Sequence, residues 1–370
     1  MKNVLITGGA GFIGSHLADE LLRAGHRVRA LDDLSPQVHG RARLRPEYLS
    51  PEVELVVADV RDASAVARAL DGVEAVFHFA ARVGVGQSMY RIAEYTDVNA
   101  RGTATLLEAL AKRPVERLVV ASSMSVYGEG LYVDGRGRDV IAATRSLERL
   151  RRGQWDLDDE DGAPLTPRPT PETKTPSLES VYALSKFDQE RMSLLVGRAY
   201  GIPTVALRFF NVYGTRQSLS NPYTGVLAIF ASRLINDRPP LVFEDGLQRR
   251  DFVSVRDVVR ACARALESND AIGRVLNVGS GTARSVSEVA TSMARALGKR
   301  IEPEVTGKYR VGDVRHCFAD VGAARAALGY APTVAFDEGI EELAGFLEGQ
   351  VAHDRAGEAR AELEARGLTL

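Results

Sequence analysis

A short apolar run, Val4, Leu5 and Ile6, leads straight into Gly8, Gly9, Ala10, Gly11, Phe12, Ile13, Gly14, and few folds accept that junction. The GxxGxxG spacing assigns each glycine a separate task. Gly8 permits a tight turn out of a strand, Gly11 removes a Cβ where a bound group approaches the backbone, and Gly14 lets the next helix pack closely. Leu17, Leu21 and Leu22 continue a helical apolar face that stops near Gly25, a residue suited to a left-handed cap. Val28 to Leu31 then reads as a second strand ending at Asp32, with further strands at Leu55 to Ala58, Ala75 to Phe79 and Arg117 to Ala121. Helical patterns at Ala63 to Leu70 and Val98 to Ala111 separate them. Such alternation predicts an α/β fold, a doubly wound parallel sheet of Rossmann type with helices on both faces.

From Gly128 to Ser180 the periodicity degrades into glycine, proline and charge, including TPRPTP at 166–171. The reading is a long surface excursion, with local order or a covering role over a site. A helix through Tyr182, Lys186, Met192 and Leu195 and a strand at Thr204 to Arg208 follow. Beyond them, helices are expected at Ile229 to Leu234, Val258 to Leu266 and Val286 to Leu297, and strands at Leu241 to Phe243 and Val275 to Val278. The last strand resembles the early ones, so the C-terminal lobe should interleave with the sheet. The expected division is 1–210 with an insertion at 128–180, a smaller substrate lobe at 211–345, and a charged helical tail at 346–370. That tail reads as a solvated face.

Composition narrows the partners. Lys and Arg total 47 against 49 Asp and Glu, a formal charge of −2, which argues against a nucleic-acid-coating surface. Cys262 and Cys317 are the only cysteines, too few for a disulfide framework or a thiolate zinc site. The start Met1-Lys2-Asn3 enters a strand directly and no apolar run is long enough to span a bilayer, so a soluble cytoplasmic protein without a membrane partner is expected.

The exposed amides and positive end of the helix after Gly11 favour a pyrophosphate. Asp32, 18 residues beyond Gly14, is placed to accept hydrogen bonds from adenosine ribose hydroxyls. Its charge repels a 2′-phosphate and Asp33 offers no rescue, so NAD is expected rather than NADP. Asp59 and Val60, after the third strand, border the adenine on this reading; alternatively Asp59 caps the helix that follows. Tyr182 and Lys186 lie four residues apart on one helix face. A phenol with a pKa near about 10 is a poor base at neutral pH, and a neighbouring ammonium favours its phenolate. Alone, such a pair fits an exposed helix face equally well.

GGAGFIG with Asp32, HFAA at His78 to Ala81, SSMSVYG at Ser122 to Gly128, Tyr182 with Lys186, LRFFNVYG at Leu207 to Gly214 and RRDFVSVRD at Arg249 to Asp257 together resemble the extended short-chain dehydrogenase/reductase family, in its nucleotide-sugar epimerase branch. LSNPYTG and SSMSVYGEG are most similar to bacterial UDP-glucose and dTDP-L-rhamnose 4-epimerases. The resemblance implies a retained NAD held by Gly8, Gly11, Phe12, Ile13, Gly14, Asp32, Asp59, Val60, Ala80, Ala81 and Asn99, together with Tyr182 and Lys186. It implies Tyr182 as the base, Lys186 on the nicotinamide ribose and Ser123 on the reacting sugar hydroxyl. Asn211, Asn221, Arg250 and Arg310 would hold a UDP- or dTDP-sugar, and Asp313 its ribose. The chemistry implied is inversion at C4 through a 4-keto sugar.

Met124 and Ser125 cannot supply the acid and base that a related 4,6-dehydratase places there. A UDP-glucuronate decarboxylase, a nucleotide-sugar dehydrogenase or reductase, and an NAD-sensing scaffold stay open as alternatives. The insertion lacks the paired cysteines of some similar epimerases, so no metal is expected. A homodimer formed through helices near 98–112 and 182–199 is a further expectation from the family.

Overall fold

Apolar residues line both faces of the central strands because helices cover both sides of the sheet. In the computed structural model, β1 (Asn3–Thr7), β2 (Arg27–Asp32), β3 (Glu54–Val57), β4 (Ala75–His78), β5 (Arg117–Ser123), β6 (Thr204–Phe209) and β7 (Val275–Val278) form one sheet. Every neighbouring pair is parallel, and the order is β7-β6-β5-β4-β1-β2-β3. The winding reverses between β1 and β4, and in such sheets the crevice at the carboxyl ends beside the reversal receives ligands. The structure describes residues 1–140, 145–223, 225–350 and 354–369; parts of the expected insertion (141–144) and tail (351–353 and 370), and Thr224 of LSNPYTG, lie outside the described residues.

Helix α1 (Phe12–Arg23) packs on the sheet through Leu17, Ala18 and Leu21, each buried. The helix expected over 98–111 is a wider π-helical turn, Thr96–Arg101, running into α2 (Gly102–Lys112). Helix α3 (Val181–Tyr200) starts at Ser180, whose side chain accepts from the Ala183 amide, and ends at Gly201 in the left-handed region. As expected, β7 returns the chain to the sheet after an excursion through a second apolar core. That core joins Phe230 and Leu234 to Val289, Met293, Ile340 and Leu343.

The local order expected within 128–180 is present, while the reading of the tail as a solvated face needs correction. The 128–180 segment is not a bare excursion: Leu131–Val133 pairs antiparallel with Asp139–Val140 and Thr166–Arg168, and Leu147–Arg151 is helical. It is bound to the C-terminal lobe by Arg145, whose guanidinium lies 3.0 Å from Glu129 and 2.7 Å from Glu244, all three side chains buried. The tail is not simply a solvated face. In its helix α4 (Ala356–Ala365), Ala359 and Leu363 are buried, and Leu368 O accepts from Val311 N at 3.0 Å.

Candidate active site

Gly8 adopts φ +71°, and a Cβ there would meet Ala80 N at 2.9 Å. A Cβ on Gly14 would sit 2.3 Å from Gly8 O, so only glycine lets α1 close on the turn. Gly11 is the N-cap of α1 and contributes no capping side chain, which leaves first-turn amides open to an anion. This cradle fits a dinucleotide pyrophosphate.

Asp32 ends β2 at the same rim. Its carboxylate accepts from Ala10 N at 3.0 Å and Leu34 N at 2.9 Å, so it is oriented by the glycine turn itself. Burial raises its pKa, opposed by those amides and by His39, whose ring lies 3.7 Å away. Arg29, three residues before Asp32 in β2, is turned elsewhere and donates to the carbonyls of Ala69 and Asp71. Asp59 accepts from the Arg61 amide and guanidinium at 2.8 and 2.9 Å, and the following helix is capped by Asp62 instead.

A cleft of about 610 Å³ runs from this cradle, within the range of roughly 300–1,000 Å³ usual for sites that enclose small organic ligands. Gly8, Gly11, Phe12, Ile13, Gly14, Asp32, Asp59, Val60, Ala80 and Ala81 line one end. Ser123, Tyr182 and Lys186 line its middle, and Asn211, Asn221, Arg250, Arg310 and Asp313 continue it. Asn99 stands apart from that lining. It is fully buried, accepts from Arg82 N at 2.7 Å and donates to Ser185 Oγ at 2.9 Å.

Ser123 is the last residue of β5 and Tyr182 lies in the first turn of α3, so two separate elements meet at the middle of the cleft. Burial raises the Tyr182 pKa, and a hydrogen bond with Ser123 pulls it back. That serine, rather than the Lys186 charge, is what opposes burial at the phenol. Tyr95 packs edge-on against the Tyr182 ring, centroids 6.4 Å apart. Burial lowers the Lys186 pKa to about 7, opposed by the Glu190 carboxylate, and its Nζ donates to Gln189 Oε1 at 2.7 Å. Ser122 is occupied, donating to Glu190 Oε2 at 2.7 Å, while Arg208 grips the same carboxylate at 2.8 and 2.7 Å. Tyr127 lies beneath, donating to Asn277 Oδ1 at 2.7 Å under the Arg208 guanidinium.

At the far end, Arg310 and Asp313 form a bonded pair, with Arg310 Nη2 2.8 Å from Asp313 Oδ1. The guanidinium lies over the Phe243 ring, 5.3 Å from its centroid. Val242, the neighbour of Phe243 in the chain, is core. Arg250 donates to the carbonyls of Arg249 and Arg315 at 2.9 and 3.0 Å. Asn221 Oδ1 accepts from Gln37 Nε2 at 3.0 Å and Tyr223 N at 3.1 Å, and the buried Asn211 Oδ1 has no partner. Arg145 of the insertion donates to Asp313 O at 2.9 Å and so braces the Arg310–Asp313 loop.

The sequence profile of the NAD dependent epimerase/dehydratase family matches residues 4–279. The chain belongs to this family. Among its relatives is a dTDP-L-rhamnose 4-epimerase from Burkholderia thailandensis, 38% identical over 92% of this chain and 94% of the relative. A UDP-glucose 4-epimerase from Thermotoga maritima, solved with UDP-glucose, superposes with a TM-score of 0.76 at 29% identity, covering 94% of this chain and 99% of the other. A Thermus thermophilus UDP-glucose 4-epimerase complexed with NAD gives a TM-score of 0.72 at 33% identity, covering 94% and 100%. No helix among the described residues is long and apolar enough to cross a membrane.

Several cleft residues escaped sequence reasoning. His39 and Ser35 flank Asp32, and Ala359, Arg360 and Leu363 of α4 wall the other side. The tail did carry a signal: Ala356, Ala359 and Leu363 follow helical three-and-four spacing within a charged run.

Proposed function

We propose that this enzyme inverts the C4 hydroxyl of a UDP- or dTDP-hexose through a transient 4-keto sugar, keeping one NAD bound throughout. The observation that carries the reading is the convergence of Ser123, Tyr182 and Lys186 between a glycine cradle and an arginine-lined end of a single cleft. Relatives named for dTDP-L-rhamnose and UDP-glucose 4-epimerisation support the substrate class.

Gly8, Gly11 and Gly14 with the first turn of α1 would hold the pyrophosphate, Asp32 the adenosine ribose, and Lys186 the nicotinamide ribose. NAD held there would supply the hydride acceptor, and then the hydride donor, for the sugar C4. Tyr182 takes the proton from the C4 hydroxyl at its phenolic oxygen and gives it back after the sugar has turned. Ser123 holds both the Tyr182 oxygen and the sugar hydroxyl, which keeps the proton path short. Burial raises the Tyr182 pKa, so phenolate formation requires a cation charge close to the phenol. Arg250 and Arg310 hold the diphosphate, their planar donor forks suited to phosphoryl oxygens. Asp313 is oriented by Arg310 to meet the nucleotide ribose, and Asn211 and Asn221 complete the substrate side. We further propose that two copies pair through α2 and α3, where Leu184 and Leu195 are exposed.

The test is to incubate the protein, without added NAD, separately with UDP-glucose, UDP-galactose, UDP-glucuronate and dTDP-L-rhamnose, resolving products by chromatography and NMR. The C4 epimer of at least one is expected. Net NADH production or release of carbon dioxide would contradict the assignment.

A further inference from the structure

Hydrogen positions beneath the cleft follow from counting donors. Thr7 Oγ1 accepts from two backbone amides, Phe79 and Ala80, each at 3.2 Å. Its own proton therefore goes to His78 Nδ1, 2.7 Å away. Burial holds His78 neutral, its pKa lowered to about 3, so the remaining ring proton sits on Nε2. Thr103 Oγ1 donates to Asn99 O at 2.6 Å and hence serves its other neighbours as an acceptor. It receives His78 Nε2 at 2.8 Å and Gln189 Nε2 at 2.9 Å. The 3.2 Å approach of those two nitrogens is two donors converging on one oxygen.

Gln189 Nε2 spends its second hydrogen on the Ala80 carbonyl at 3.3 Å. The amide is thus locked in one orientation, and Oε1 is left to receive Lys186 Nζ at 2.7 Å. A flipped amide would set its oxygen against Ala80 O and its nitrogen against an ammonium, two repulsive contacts in a side chain with no solvent exposure.

We propose that Gln189 is a positioning residue for the reaction: a Thr7–His78–Thr103 chain fixes its carbonyl oxygen, which in turn holds the Lys186 ammonium at the floor of the cleft. The inference rests on the reading of Lys186 as part of the reacting centre. The other groups that face Lys186 are Tyr182 and Glu190 on its own helix and neutral His78 on β4. Glu190 is tied to Arg208 on β6 and Ser122 on β5, and α2 with the turn before it offers the uncharged Thr103 and Asn99. An acceptor oxygen on Lys186 favours the protonated amine. Losing it lowers the lysine titration midpoint, and a carboxylate in its place raises it.

The experiment compares wild type, Gln189→Leu and Gln189→Glu. Competitive acetylation with trace acetic anhydride, with the Lys186 peptide quantified by mass spectrometry across pH, gives the lysine midpoint in protein stripped of cofactor. The alkaline limb of kcat is followed in parallel. Gln189→Leu is expected to move both downward by about one pH unit, a tenfold change in proton affinity, while Gln189→Glu moves both upward and KM for the sugar nucleotide stays put. If Gln189→Glu does not fold, Thr103→Val carries the test: it keeps the glutamine but frees its amide, and should shift the midpoint downward. Midpoints unchanged in every variant, or Gln189→Leu and Gln189→Glu moving in the same direction, would overturn the proposal; where Gln189→Glu does not fold, an unmoved midpoint in Thr103→Val overturns it. Labelling reads the lysine whether or not any sugar is turned over. Split midpoints in a protein that inverts no nucleotide sugar would therefore sink the functional reading and leave only the hold of Gln189 on Lys186 standing.

Discussion

Replacing Gly11 or Gly14 by alanine separates the cradle's two tasks, because the added methyl meets different neighbours. At Gly14 it would lie 2.3 Å from Gly8 O and 2.8 Å from Gly9 Cα, both backbone atoms with no side chain to swing aside. Restoring ordinary contact near about 3.5 Å requires the turn and α1 to part by roughly 1 Å. Overpacking of that kind costs about 1–3 kcal/mol, which lowers Tm by several degrees. At Gly11 the nearest atom to the methyl is Gly8 O at 3.3 Å, and φ −75° suits an alanine. The cofactor-free fold should then hold within about 0.5 kcal/mol. Its methyl instead stands where the pyrophosphate meets the backbone, and a tenfold or greater loss of NAD corresponds to about 1.4 kcal/mol or more. The assay is NAD released by heat and quantified per mole of purified protein, beside Tm of the stripped protein. Gly14→Ala should lose both; Gly11→Ala should lose NAD alone. Stoichiometric NAD in Gly11→Ala, or equal loss of Tm in the two variants, refutes the assignment of the cradle.

Tyr182→Phe should lower kcat by on the order of 100-fold or more, the usual contribution of a positioned proton-transfer group, with NAD content and Tm retained; unchanged turnover removes the tyrosine from the reaction. Leu363→Asp places a charge where Leu363 packs against Gly86, and should raise KM for the sugar nucleotide several-fold without lowering NAD content, as measured by initial rates. An unchanged KM would show that α4 plays no part in the site. Lys186 is held near about 7 in the fold, against an ordinary lysine value of about 10.4. Below both values the buried charge costs stability, and between them the unfolded chain binds the extra proton, so wild-type stability rises with pH across that window. The Tm advantage of Lys186→Met in cofactor-free protein should therefore be largest near about pH 6 and shrink toward about pH 10. Parallel Tm profiles would contradict this.

The sheet was readable because its strands are buried on both faces: Val4 to Ile6 and Val275 to Val278 announce themselves as apolar runs, and Gly8 to Gly14 mark where the first must turn. Tyr182 and Lys186 were readable together because one helix turn separates them. The insertion was not, since its strands span only two or three residues each. What holds it is ion pairing between residues far apart in sequence, Arg145 with Glu244 above all. The tail misled because two buried apolar side chains sit among charged residues that do face water. Gln189 stayed hidden for a different reason: a polar helix residue reveals a task only when three other elements converge on it. Asn99 shows the converse, a residue assigned to the cleft by resemblance whose amide is taken up by Arg82 and Ser185.

Everything proposed for the site requires that hydrogen leave C4 and return to the same carbon within one protein molecule. The direct measurement is to supply a nucleotide sugar deuterated at C4, without added NAD, and to examine the inverted product by NMR and mass spectrometry. Deuterium retained at C4 of the epimer is the predicted result; label washed out to solvent, or a sugar recovered without inversion, would contradict it.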